Sequence, residues 1–271
     1  MKKIALLLLA AVIFIQPDFA AADPGRKDMR LVLEKAKRDL TVWLNVIDED
    51  MKNAAQSLSV LDFKSAVARK ILGGLRIARP YIIDCSIIDT EGKMITVQPY
   101  EYKRYEGSDV SDQPQVIMIQ KTKRPVMSAA FISVENTFSV DFEYPITGNG
   151  GEFRGSVSVL MKQGEFLSDI VGRIVKNTPF KIWITQTDGV ILHSTYQHMI
   201  SKNVFSDEFF SPLKSFVDLA KKIAVQRTGF GSYEFYENGE RHDKTVARSM
   251  MWDTVRLYDN EWRIGVVEIE N

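Results

Sequence analysis

The chain has 271 residues, with 35 lysines and arginines balanced by 35 aspartates and glutamates, and a single cysteine. That balance argues against a nucleic acid or an anionic membrane as partner, and one cysteine excludes an intramolecular disulfide. Without the leader described next, about 250 residues remain, enough for one large or two small domains.

Lys2 and Lys3, the apolar run of residues 4–15 and the small residues Ala20-Ala21-Ala22 before Asp23 have the layout of a secretory signal peptide. The cut is expected after Ala22. The run is shorter than the ~20 residues of a spanning helix. The mature chain is therefore expected to be soluble, periplasmic or secreted, and not inserted in a membrane after cleavage.

Over residues 27–61, Met29, Leu33, Ala36, Leu40, Trp43, Ile47, Met51, Ala54, Leu58 and Leu61 recur at three- and four-residue steps, which predicts one long amphipathic helix. Asp62 is placed to cap a second helix, running to about Leu72 and stopped by Gly73-Gly74. Residues 79–163 read as a first sheet module. Residues 81–88 form a strand, Asp89-Thr90-Glu91-Gly92 a turn, and residues 93–97 the returning strand, with Asp84, Ser86 and Thr96 on a polar side. A tyrosine-bearing loop follows, with a short helix expected from a cap near Ser111, and residues 124–132 supply a third strand with Ser128 on its polar side.

In residues 138–146 and 153–160 apolar and polar residues alternate strictly. A hairpin over the turn Thr147-Gly148-Asn149-Gly150-Gly151 puts Asp141, Glu143, Arg154, Ser156 and Ser158 on one surface, and Phe138, Val140, Phe142, Tyr144, Val157 and Val159 on the other. A linking helix over residues 164–178 leads to a second module, residues 179–271. This opens with a repeat of the strand-turn-strand theme, about 97 residues on from Gly92 to Gly189, and closes with three strands. Trp183, Trp252 and Trp262 are expected in its core.

Little points to catalysis. There is no Gly-x-Ser-x-Gly elbow, His-Glu-x-x-His or phosphate loop, and Gly229-Phe230-Gly231 precedes a strand instead of opening a helix. His193, His198 and His242 have no cysteine or acidic cluster at ligand spacing, so neither a metal nor a cofactor is expected. Arg154 opposite Asp141 or Glu143 could grip a carboxylate and an amine. Tyr102 and Tyr105 offer apolar contact with a hydroxyl. A solvated sheet face with a weak cross-strand ion pair is the structural alternative.

The order of elements resembles the double Cache family of extracytoplasmic sensor domains. The likeness is carried by Ile87-Ile88-Asp89-Thr90-Glu91-Gly92-Lys93, Gly107-Ser108-Asp109-Val110-Ser111, Arg124-Pro125-Val126-Met127-Ser128, Tyr144-Pro145-Ile146, Asp188-Gly189-Val190 and Trp262-Arg263-Ile264-Gly265. The resemblance implies an α+β fold, a long N-terminal helix followed by two stacked PAS-like modules, each a mostly antiparallel sheet. It also implies small-molecule binding in the first module, at Tyr102, Tyr105, Ser128, Asp141, Glu143, Arg154 and Ser156.

The Arg-x-Trp-Tyr signature of the family's amino-acid binders is missing at Ser111-Asp112-Gln113-Pro114-Gln115. The sequence ends two residues after the last strand, so a free binding protein, or one that docks on a membrane receptor or sensor kinase, is expected. The ligand is expected to be a metabolite of carboxylate or amine character. An interaction module without a ligand is the alternative reading, and a hydrolase using Asp141 or Glu143 a minor one.

Overall fold

The computed structural model describes residues 24–77 and 79–269, so the expected signal peptide lies outside the described residues. Helix α1 spans Pro24–Leu58. Past Gly25 it contains neither glycine nor proline, the two residues that most weaken a helix interior. Met29, Leu33, Ala36, Leu40, Leu44, Ile47, Met51 and Leu58 form its buried stripe. Helix α2, Ala66–Leu75, is capped by Ser65, whose Oγ accepts the Ala68 N–H at 3.1 Å. Asp62, the expected cap, instead accepts the Lys64 N–H within the turn before it. The helix also runs through Gly73 and Gly74, because Leu72 and Leu75 on either side are anchored in the core.

The first sheet holds β1 (Ile82–Ile88), β2 (Met94–Gln98), β3 (Val126–Met127), β4 (Phe131–Ile132), β5 (Phe138–Thr147) and β6 (Phe153–Met161). Its order is β2-β1-β6-β5-β3, with β4 also on β5. A 3-10 helix, Tyr100–Tyr105, lies in the stretch expected as loop, and α3, Pro114–Thr122, is the short helix expected after it, starting from Gln113 instead of Ser111. Pro114 starts α3, where its missing N–H has no helical partner to lose. The third strand expected over 124–132 is broken in two. Between its halves the ladder is replaced by reciprocal bonds, Ser128 N–H to Asp141 O at 2.8 Å and Asp141 N–H to Ser128 Oγ at 2.9 Å.

Helix α4, Gln163–Val175, leads to the second sheet, β7 (Lys181–Gln186), β8 (Ile191–His193), β9 (Gly229–Tyr236), β10 (Thr245–Leu257) and β11 (Asn260–Ile269), in the order β8-β7-β11-β10-β9. Helix α5, Lys214–Val225, packs on β9. All pairings in both sheets are antiparallel.

One continuous core joins α1, α2 and α4 to the inner faces of both sheets, including Cys85, Phe142, Val157, Ile184 and Trp262. Each fully buried Leu, Ile or Met contributes about 1.5–3 kcal/mol, so this stripe is what fixes both modules on α1. A second cluster, with Trp183, Phe216, Phe235 and Trp252, fills the outer side of the second sheet. The three tryptophans expected in the second module's core are all buried, Trp183 and Trp252 in this cluster and Trp262 on the helix-backed side. Lys37 on α1 meets the Asp253 carboxylate on β10 at 2.9 Å.

Candidate functional site

The outer face of the first sheet is polar but not solvated. Asp84, Ser86, Asp141, Glu143, Ser156 and Ser158 are all buried. Strand register brings them together: Ser86 lies opposite Ser158, and Leu160 on β6 has Asp84 on one side and Asp141 on the other. A narrow cleft opens over them, floored by Asp84, Ser86, Asp141 and Ser158 and walled by Met94, Val110, Gln113, Phe131 and the β4–β5 loop with Ser133 and Glu135.

Asp141 is held firmly. Ser158 Oγ donates to its Oδ1 at 2.7 Å, Gln115 Nε2 to its Oδ2 at 3.4 Å, and Ser128 fixes its backbone on both sides. Burial nevertheless pushes its carboxyl up to about 7, with Glu135 adding like-charge repulsion. Burial raises Asp84 well above the carboxylate range, helped by Glu135 and Asp141 nearby. Glu143, deeper on the same face, is raised well above its ordinary value by burial and by Asp141, although Ser156 Oγ donates to its Oε2 at 2.5 Å.

Ser86 Oγ and Ser133 Oγ have no hydrogen-bond partner among the described residues, and the Asp84 and Glu135 carboxyl groups, otherwise unpartnered, lie within hydrogen-bonding reach of each other, where a proton held on Asp84 bridges them. Among those residues, no lysine, arginine or histidine lines the cleft. Buried polar atoms are nearly always paired, so this set of acceptors is prepared for something that donates. No group of three or more His, Cys, Asp or Glu among the described residues is arranged to hold a metal ion.

Residues 42–163 match the sequence model of a family described as the HK/GC/Chemotaxis protein-like sensor domain. An extracellular ligand binding receptor from Desulfohalobium retbaense superposes with a TM-score of 0.76 at 27% identity, over 89% of this chain and 40% of that one. The ligand-binding domain of the Pseudomonas aeruginosa amino acid chemoreceptor PctC, in complex with GABA, superposes at 0.63 and 15% identity, over 90% of this chain and 99% of that one. That of the Pseudomonas fluorescens chemoreceptor CtaA, in complex with L-alanine, gives 0.64 and 13%, over 90% and 97%. The chain has the double Cache fold of these sensor domains. Among curated proteins none matches it by sequence. The chain spans 40% of the Desulfohalobium receptor.

The double Cache frame brings some of the sequence-expected site residues together and separates others. Asp141 lines the cleft, and Ser128 holds it from behind. Glu143 and Ser156 pair with each other outside the cleft lining. Tyr102 and Tyr105, with ring centroids 6.2 Å apart, pack on the apolar cluster of Ile88, Met94, Val97, Val110 and Val116, and so support the cleft wall from outside.

Arg154 is the clearest departure. Its guanidinium donates to Ser59 O at 2.5 Å, Leu61 O at 3.0 Å and Leu58 O at 3.3 Å, and stacks on Phe63 at 4.6 Å. It caps the C-terminus of α1 and faces neither Asp141 nor Glu143. The cause is local: the register slips between Ile146 and Thr147 beside Gly155, whose φ of +136° breaks the alternation on which the expectation rested. A side chain at Gly155 would also strike Ile88 O, 2.2 Å from an ideal Cβ.

Thr96 departs for the same kind of reason. A bulge between Ile87 and Ile88 turns it inward, where its Oγ1 donates to Phe63 O at 2.6 Å. Sequence reasoning passed over Ser133, Glu135 and Gln115. Only the Ser-Val-Glu-Asn turn before β5 and the Gln-Pro-Gln start of α3 hinted at polar groups there.

Proposed function

We propose that this chain is an extracytoplasmic sensor module that binds a small amine metabolite, without turnover, in the cleft of its first sheet. The observation that carries the reading is the oxygen-rich lining, with Ser86 Oγ and Ser133 Oγ unpartnered and Asp84 and Glu135 paired only with each other, beside an anchored Asp141 in a cleft with no lining cation. An ammonium brings three donors and a positive charge, which satisfies the oxygens and offsets the desolvation of the carboxylates. With Arg154 committed to the end of α1, no guanidinium is present in the cleft to take a ligand carboxylate. GABA and L-alanine, the molecules in the neighbouring complexes, both carry an amino group.

In this reading Asp141 binds the ammonium, Asp84, Ser86 and Ser133 complete its donors, and Ser128 positions Asp141. Glu143 and Ser156 support the floor, and Tyr102 and Tyr105 stiffen the wall. Ser128 also provides a route out of the module. Its carbonyl accepts Asn260 Nδ2 at 2.7 Å, at the tip of the β10–β11 hairpin, and the neighbouring Tyr258 hydroxyl bonds Asp48 on α1. Ligand binding at Asp141 thus acts on the second module and the long helix, and through them on a membrane receptor or sensor kinase.

The test is a thermal-shift panel of short alkylamines and diamines against carboxylates of matched length. Stabilisation by amines alone, lost in Asp141→Asn, supports the reading. Stabilisation by carboxylates instead contradicts it.

A further inference from the structure

The second sheet repeats the first strand for strand, and the repeat extends to its outer face. In the β1–β2 turn the Asp89 N–H bonds Lys93 O and the Gly92 N–H bonds Asp89 O; in the β7–β8 turn Gln186 and Val190, then Gly189 and Gln186, make the same pair of bonds. Counting back from these turns puts Trp183 where the first module has Ser86. Ser86 pairs with Ser158 on β6 and Trp183 with Gly265 on β11, so Gly265 stands in the place of Ser158. By the same register Met250 stands in the place of Asp141. Val204 bonds Gly189 O as Val110 bonds Gly92 O.

A narrow cleft lies at this equivalent position, lined among others by Trp183, Val204, Phe216, Ala220, Met250 and Gly265. Its chemistry is the reverse of the first. Glycine at 265 lets the Met250 side chain close onto the floor, since a Cβ there would come within 2.6 Å of its Sδ. Arg263, which also lines it, is fully engaged, with Nε on Ile223 O at 2.9 Å, Nη2 on Ala224 O at 3.1 Å and Nη1 on Glu261 at 2.9 Å. Its charge is thus already matched.

Trp183 lines this cleft and is only 2% exposed, and its buried indole Nε1–H has no acceptor among the described residues. The unpaired indole N–H of Trp262, by contrast, is buried in the helix-backed core. A buried donor without a partner is costly, and beside a cleft its partner can come from a ligand.

We propose that the second module holds its own binding site, at the place equivalent to the first cleft, for a small uncharged apolar molecule that presents one carbonyl-type acceptor to Trp183 Nε1. This site is independent of the amine site. Gln186, which also lines it, accepts the Ala130 N–H of the first module at 2.6 Å.

The test uses the full chain labelled with 15N-tryptophan, whose four indole signals are followed while acetophenone, or ethylbenzene, which lacks the carbonyl oxygen, is added. The expected result is a saturable downfield shift of the Trp183 indole signal with acetophenone, which binds roughly fivefold more tightly than ethylbenzene. Trp183→Phe, which keeps the ring, removes that preference. Ala220→Phe fills the cleft and abolishes the shift while the other three signals report an intact fold, and Asp141→Asn leaves it unchanged. Absence of a saturable Trp183 shift, or its persistence in Ala220→Phe, overturns the site. Equal affinity for the two probes overturns the assigned ligand class.

Discussion

Replacing Asp141 by Asn tests whether the first cleft is held at a cost to stability in the absence of a ligand. In the folded chain burial pushes the Asp141 carboxyl up to about 7, against an ordinary value of 3.8. The folded chain therefore keeps its proton up to about pH 7, whereas the unfolded chain releases it near 3.8. Between those values the native state holds more protons, and each pH unit lowers wild-type stability by up to about 1.4 kcal/mol. At pH 8 the accumulated loss is about 4 kcal/mol.

Asparagine keeps an acceptor for Ser158 Oγ and removes the charge, but its amide meets the Gln115 amide, which now donates to Oδ2. That clash takes back part of the gain, leaving about 2 kcal/mol. For a chain of this size that raises Tm by about 4–8 °C. The assay is thermal unfolding of ligand-free wild type and variant from pH 5 to pH 8. The variant should melt higher at pH 8 and show a shallower decline with pH. A variant that melts at or below wild type at pH 8, or keeps the wild-type slope, refutes the electrostatic account of the cleft.

Arg154→Met should lower stability by about 1–3 kcal/mol, since three carbonyls at and just beyond the end of α1 lose their donors, and leave amine affinity unchanged. A calorimetric titration in which affinity falls with the arginine would return Arg154 to the binding site. Asn260→Ala removes the bonds to Met127 O and Ser128 O. It should leave amine binding within about threefold of wild type, yet abolish the ligand-induced slowing of hydrogen exchange at residues 258–260, and retained slowing there would rule out the Ser128–Asn260 route.

Much of the architecture was legible because it rests on periodicity. The three- and four-residue spacing of α1 and the two-residue alternation of β5 and β6 both record which face meets the core. What escaped was local phase. One bulge at Gly155 carried Arg154 from the polar face to the end of α1, and one between Ile87 and Ile88 turned Thr96 inward. Alternation also cannot distinguish a polar face in water from one under a roof. The burial of Asp84 and Asp141 depends on α3 and the β4–β5 loop, whose positions are set by contacts remote in sequence, such as Gln115 with Asp141. For the same reason Ser133 and Glu135, in a turn without periodicity, carried no signal.

The central claim is that the first cleft binds a cationic amine through Asp141, and calorimetric titration at several pH values tests it most directly. An amine selected by thermal shift should bind with one-to-one stoichiometry. Because the Asp141 proton must leave, its affinity should rise by up to about tenfold per unit between pH 6 and 7 and level off above. Asp141→Asn should abolish the binding. Affinity that is flat or falling over that range, or unchanged in Asp141→Asn, would contradict the account.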